Sequence, residues 1–181
     1  ALPLRLATVY RDETGVRAML ANRHARLGAT LDRLDGRVEW GVKVHAVGTA
    51  PAPAATGAGP GAPRAALSGR DYLRRRAAAR HAHEEEARRA DEAARGIHAA
   101  LTALAEETRL YPPQHGPLAG HSGRNVLNAA YLLPRESGER FTSAVAGLAD
   151  LAPEDGVRVE LTGPWAPYSF VGQAAAGEDA P

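Results

Sequence analysis

Between Arg37 and Val47 apolar and polar residues alternate. Val38, Trp40, Val42, Val44 and Ala46 fall on one side of an extended chain, and Glu39, Lys43 and His45 on the other. So long a period of two predicts a strand with one buried face. Trp40 and the valines also favour a packed, pleated surface. Leu4, Leu6, Thr8 and Tyr10 share one face of an earlier strand, Leu2–Tyr10. Arg11 to Gly15 reads as a turn. From Val16 the period lengthens: Val16, Met19, Leu20, Leu27, Leu31 and Leu34 are spaced by three, four or seven, which predicts a helix to Leu34. Gly36 lies just past its last periodic residue, the usual place for a terminating glycine. His24 falls on the apolar stripe and is expected as a packed histidine at the edge of the core.

Gly48 to Ala66 is rich in Pro, Gly, Ala and Thr and reads as a flexible insertion. Ser68 and Asp71 then resemble a capping box. The helix they open is predicted to run to about Thr108, roughly 60 Å. In its second part Ala87, Ala90, Ala94, Ile97, Leu101 and Leu104 recur at alternating steps of three and four, a seam that packs on a sheet or a partner helix. In its first part the same seam would carry Arg76, Arg80 and His83, so Arg70 to His83 is expected to project into solvent. Glu84/Arg88, Glu85/Arg89 and Asp91/Arg95 are four apart in the favourable orientation.

Arg109 to Pro113 reads as a short edge strand, because its two prolines limit pairing. A glycine-containing loop from Gln114 to Gly123 follows. Arg124 to Leu133 is apolar on both faces, as a strand buried on both sides would be. Phe141, Val145 and Leu148 mark a short amphipathic helix, and Val157, Val159 and Leu161 alternate with polar residues in a last strand. The chain is thus expected to be α+β. From Arg37 its order is βαββαβ, the split βαβ arrangement of ferredoxin-like domains. Right-handed crossovers would set the Trp40 strand between the last strand and the Leu127–Leu133 strand. Residues 1–36 are then the remnant of a first α+β domain, 37–163 a ferredoxin-like domain with a long first helix and the insertion at 48–66, and 164–181 a tail. Because the first strand has no upstream partner, an N-terminal portion is expected to be missing.

The formal net charge is +1, so no basic excess points to nucleic acid. No apolar run approaches the roughly 20 residues that span a bilayer. The chain has no Cys, which excludes disulfides and thiolate metal sites and is compatible with the cytoplasm. His81 and His83 are two apart and diverge on a helix, and the Glu84–Glu86 run reads as a solvated charged face. Ser122 stands in no nucleophile-elbow pattern, and no glycine-rich loop carries the lysine of a phosphate cradle. No catalytic constellation, cofactor site or metal site follows from these residues.

One segment departs from this pattern. Leu161-Thr-Gly-Pro-Trp-Ala-Pro-Tyr-Ser-Phe-Val171 sets Trp165, Tyr168 and Phe170 after a strand, in a chain with only 5% aromatics. Either the tail packs back over its own core, or its aromatics form a contact surface for a partner. The two are compatible.

The chain resembles the gas vesicle protein F/L family. The resemblance is carried by Leu2-Pro-Leu-Arg-Leu-Ala-Thr-Val-Tyr10, Val38-Glu-Trp-Gly-Val-Lys-Val44, Tyr72-Leu-Arg-Arg-Arg76, Asn125-Val-Leu-Asn-Ala-Ala-Tyr-Leu-Leu133 and Leu161-Thr-Gly-Pro-Trp-Ala-Pro-Tyr-Ser-Phe170. These occur in the family's order across nearly the whole chain, and the last is the most specific. The resemblance implies a non-enzymatic accessory protein of the gas vesicle, a hollow protein-walled organelle in the cytoplasm. It implies an α+β N-terminal domain and a ferredoxin-like C-terminal domain. It also implies binding of the small hydrophobic shell protein, with other accessory proteins as further partners and neither nucleic acid nor lipid membrane among them. On that reading Trp165, Tyr168 and Phe170 serve packing or contact, and Arg74, Arg75 and Arg76 polar contact. Most of the N-terminal domain is lacking by this comparison, and the 48–66 insertion is unusually long and Pro-rich.

Two other readings stand beside it. A ferredoxin-like regulatory domain or enzyme subunit would bind a small molecule on an exposed sheet face, around Glu39, Lys43, His45, Arg158 and Glu160. A self-associating coiled coil would use the long helix, although its seam is short and alanine-rich.

Overall fold

A computed structural model describes residues 9–47, 69–113 and 123–174. Most of the expected first strand, the 48–66 insertion, Ser68, and the loop bearing His115, His121 and Ser122 lie outside the described residues. Helix α1 (Glu13–Leu34) is followed by β1 (Arg37–Ala46), α2 (Gly69–Thr102), β2 (Glu107–Leu110), β3 (Arg124–Pro134), α3 (Gly138–Leu151) and β4 (Val157–Trp165). The four strands form one antiparallel sheet in the order β2-β3-β1-β4. The Trp40 strand therefore has the two neighbours that the order of elements predicts, and the chain is α+β.

Helix α1 starts earlier than the periodicity implies. The Asp12 carboxylate accepts from the Gly15 N–H at 2.8 Å, satisfying a donor that a helix start leaves unpaired. At its other end Gly36 takes a φ of +68°, which a glycine adopts without strain. His24 corrects the expectation from the stripe. It is exposed, because α1 packs mainly through its last turns, where Thr30 and Leu34 are buried.

The front of the sheet carries the main core. Val42 and Val44 of β1 and Leu127, Ala129, Tyr131 and Leu133 of β3 meet Ala90, Ala94, Ile97 and Leu101 of α2 and Phe141 and Val145 of α3. The seam of the long helix thus packs on the sheet where its spacing places it. Its alanines allow close approach, and Tyr131 fills the centre with its ring 5.4 Å from that of Phe141. The Tyr131 hydroxyl lies 2.8 Å from Nδ1 of His98, and burial pushes it above the ordinary tyrosine range.

Helix α2 ends at Thr102 rather than near Thr108. Leu104 and Ala105 close tighter i→i+3 turns, and Glu107–Leu110 pairs with Ala129–Leu132 of β3 as an edge strand. Sheet pairing outweighs helix propensity here, and it shifts the edge strand two residues upstream of its expected start. The first half of α2 projects from the body as expected. Tyr72, Leu73 and Arg74–Arg76 are exposed, and so is Arg80.

The intrahelical pairs differ from the four-apart expectation. Arg88 bonds Glu85 at 2.6 Å and Glu92 at 3.2 Å, while Asp91 is taken by Arg124 of β3 at 2.8 Å. A three-apart partner and a tertiary partner compete successfully with partners of similar, small energy. The Arg88 guanidinium holds the Glu85 carboxyl below its ordinary pKa.

Candidate functional site

The back of the sheet is closed at one end by the tail. Strand β4 runs three residues past Thr162, where its alternation ends, and Trp165 stands opposite Glu39 of β1 across a register irregularity between Glu39 and Gly41. At Gly163, φ is +123°, and a Cβ there would lie 2.9 Å from the Glu39 carbonyl oxygen and 3.1 Å from the Trp40 ring. Only glycine fits so close to a neighbouring backbone. Gly163-Pro164 is a cis peptide. Residues Tyr168–Ala174 then form a short 3-10 turn against the back face.

Three sets of contacts fasten this turn. Phe170 is fully buried with Leu34 of α1 and Ala130 and Leu132 of β3. The Glu39 carboxylate accepts the Ser169 N–H at 2.8 Å and the Ser169 hydroxyl at 2.5 Å. Arg33 of α1 donates to Glu107 of β2 at 2.5 Å and to the Phe170 carbonyl at 2.6 Å, so one guanidinium joins helix, edge strand and tail. The Arg109 guanidinium also lies 5.8 Å from the centre of the Phe170 ring.

Between the end of α1, the start of β1 and the tail lies an open cleft of about 340 Å³. Leu31 and Leu34 line it on the α1 side, and Trp165 and Pro167 on the tail side; Asp35, Arg37 and Arg135 supply charge of both signs. Glu106 hydrogen-bonds Arg37 and raises its pKa, so that cation is fixed in place. Trp165 is 57% exposed and Tyr168 56%, and Leu31 keeps 45% of its surface open. The cleft is therefore a groove of mixed polar and apolar lining, with Trp165 on its wall and Tyr168 exposed nearby on a tail that is itself pinned.

The six expected site residues divide. Phe170 is a core residue. Trp165 and Tyr168 are surface aromatics beside the cleft. Arg74, Arg75 and Arg76 lie on the projecting part of α2, and α2 packs on the opposite face of the sheet from the tail. The structure does not bring arginines and aromatics together.

The pocket expected around Glu39, Lys43, His45, Arg158 and Glu160 is corrected as well. His45 is buried, with Nε2 3.7 Å from Glu160, and Glu39 is occupied by Ser169. The cleft lies at the far end of β1 instead. Leu31, Arg37 and Arg135 escaped sequence reasoning as site residues. Each reads locally as an ordinary helix or strand-end residue, and only the returning tail makes them neighbours.

Among the described residues, no helix is long and apolar enough to cross a membrane. Residues 1–172 match the model of the family described as gas vesicle synthesis protein GvpL/GvpF. The chain is 51% identical over 173 residues to gas vesicle protein L of Streptomyces sp. (strain CB03234), a match that covers 96% of this chain and 63% of that relative. It thus spans less than two thirds of the relative's length. The crystal structure of gas vesicle protein GvpF from Anabaena sp. PCC7120 superposes with a TM-score of 0.62 at 23% identity, covering 94% of this chain and 65% of that one. For GvpF from Microcystis aeruginosa the values are 0.58, 18%, 94% and 69%. These two structures share the fold.

Proposed function

Because this chain belongs to the GvpL/GvpF family of gas vesicle synthesis proteins, we propose that it is a non-enzymatic assembly factor that docks the small hydrophobic shell protein in the cleft between α1 and the tail. The observation that carries this reading is the pair of exposed aromatics, Trp165 and Tyr168, on a backbone held by Phe170, Ser169 and Arg33. Aromatic side chains dominate binding interfaces. A tail already ordered before binding loses little entropy on association. Leu31 extends the apolar surface on the facing wall. A shell subunit with an exposed apolar segment would be shielded there before assembly. The arginines of α2 act separately in this reading: Arg74 and Arg76 supply exposed polar contacts to the same partner.

The test is capture of a co-expressed gas vesicle shell protein. Trp165→Ala with Tyr168→Ala should weaken capture about thirtyfold or more, the effect of losing about 2 kcal/mol at an interface centre. Alanine at Arg74 and Arg76 should weaken it further without changing the melting temperature, since these side chains are exposed. Capture unaffected by the aromatic changes, with the fold intact, would remove the cleft from the reading.

A further inference from the structure

We propose that the projecting half of α2 pairs antiparallel with the same segment of a second copy of this chain. The stripe concerned is Asp71, Arg75, Ala78, Ala82, Glu85 and Arg89, which recur at steps of four and three throughout. That spacing keeps them on one side of the helix. Its last member precedes Ala90, the first buried residue of the seam on the sheet, by one position. One position is about 100° around a helix, so the stripe turns away from the sheet. Arg75, Ala78, Ala82, Glu85 and Arg89 are all exposed.

The charges on this stripe invert about its centre. When the helix is laid antiparallel on a copy of itself with Ala78 opposite Ala82, Arg75 falls opposite Glu85 and Asp71 opposite Arg89. The twofold axis repeats each pairing, as a twofold interface requires. A parallel pair in register would set Arg75 against Arg75 and Glu85 against Glu85. Charge therefore selects the antiparallel arrangement and also its register. The two alanines at the centre let the helix axes approach to about 8 Å. The overlap from Asp71 to Arg89 is about 27 Å long. Within one chain, Arg75 and Arg89 make no ion pair within 4 Å among the described residues; Glu85 bonds Arg88 and also feels the charge of Arg89, and Asp71 meets Arg74 at 3.7 Å. Pairing thus gives Arg75 and Arg89 close partners across the twofold axis in addition to the pairs already on the helix surface.

The experiment is sedimentation of the whole chain, which has no native Cys to cross-link adventitiously. At low salt the wild type should sediment as a dimer. It should become monomeric at about 1 M salt, where the screening length is about 3 Å. Arg75→Glu alone and Glu85→Arg alone each oppose like charges at both symmetric contacts, and each should weaken association about tenfold or more. Mixing the two variants restores both contacts, so the mixture should dimerise again, as should the double variant. Circular dichroism verifies that each variant keeps its helix, and the double variant serves if a single reversal does not fold. A wild type that stays monomeric at low salt would overturn the proposal. So would single reversals that dimerise like the wild type, or a mixture that remains monomeric.

Discussion

Replacing Phe170 by alanine is expected to destabilise the protein by about 3–5 kcal/mol, the usual cost of emptying a buried phenylalanine site. The ring is fully buried among Leu34, Ala130 and Leu132, which belong to α1 and the back of β3. It is thus the main apolar contact holding α1, sheet and tail together. A domain is typically stable by 5–15 kcal/mol in all, so the loss is a large part of the whole. The tail lies near the end of the described residues and has a second route open to it. If it detaches as a unit, the loss in global stability is capped at the free energy of docking. Protection of the Ser169 amide, now held by Glu39 at 2.8 Å, then disappears instead. Chemical denaturation and hydrogen exchange together cover both routes. A midpoint within the wild-type range with the Ser169 amide still protected would show that Phe170 does not hold the tail. The same variant should lose shell-protein capture, because Trp165 and Tyr168 would no longer be held beside the cleft.

The second large effect is expected at Gly163. Alanine there meets two separate penalties. At φ +123° a residue with a Cβ is strained, which costs on the order of 1–3 kcal/mol. The new Cβ also lies 2.9 Å from the Glu39 carbonyl oxygen, a backbone atom that cannot rotate away, and overpacking adds about 1–3 kcal/mol more. Gly156 provides the control. It has φ +70°, with nothing within 4 Å of the position a Cβ would take, so alanine at that site meets the conformational penalty alone. Urea denaturation of the two variants should place Gly163→Ala clearly below Gly156→Ala. Equal midpoints would mean that the β4 backbone relaxes away from β1, and that the close approach at Glu39 does not position the tail.

Much of this molecule follows from periodicity. The Trp40 strand, the buried β3, the amphipathic α3 and the seam of α2 each carry a repeat that matches their own geometry, and each lies where that repeat places it. The strand order was legible too, because the succession of elements leaves few unknotted arrangements for four strands. The boundaries that moved did so where a local preference met a stronger tertiary or capping contact. Asp12 drew the start of α1 upstream. Pairing with β3 turned Glu107–Leu110 from the end of a helix into a strand. His24 shows the limit of a stripe: six apolar positions at helical spacing predict a buried face, but α1 buries only its last turns against the body.

The aromatic tail was legible as an exception in composition and not as a geometry. By itself the sequence determined that Trp165, Tyr168 and Phe170 are close together along the chain, and which family the chain resembles. Tertiary structure alone decided that Phe170 turns inward while Trp165 and Tyr168 stay at the surface. That choice depends on Leu34, Arg33 and Glu39, residues more than 120 positions away in the chain whose approach no local repeat encodes. The cleft has the same origin. It exists because burying Phe170 returns the tail to the end of α1, and a groove between two such segments is a property of their packing rather than of either one.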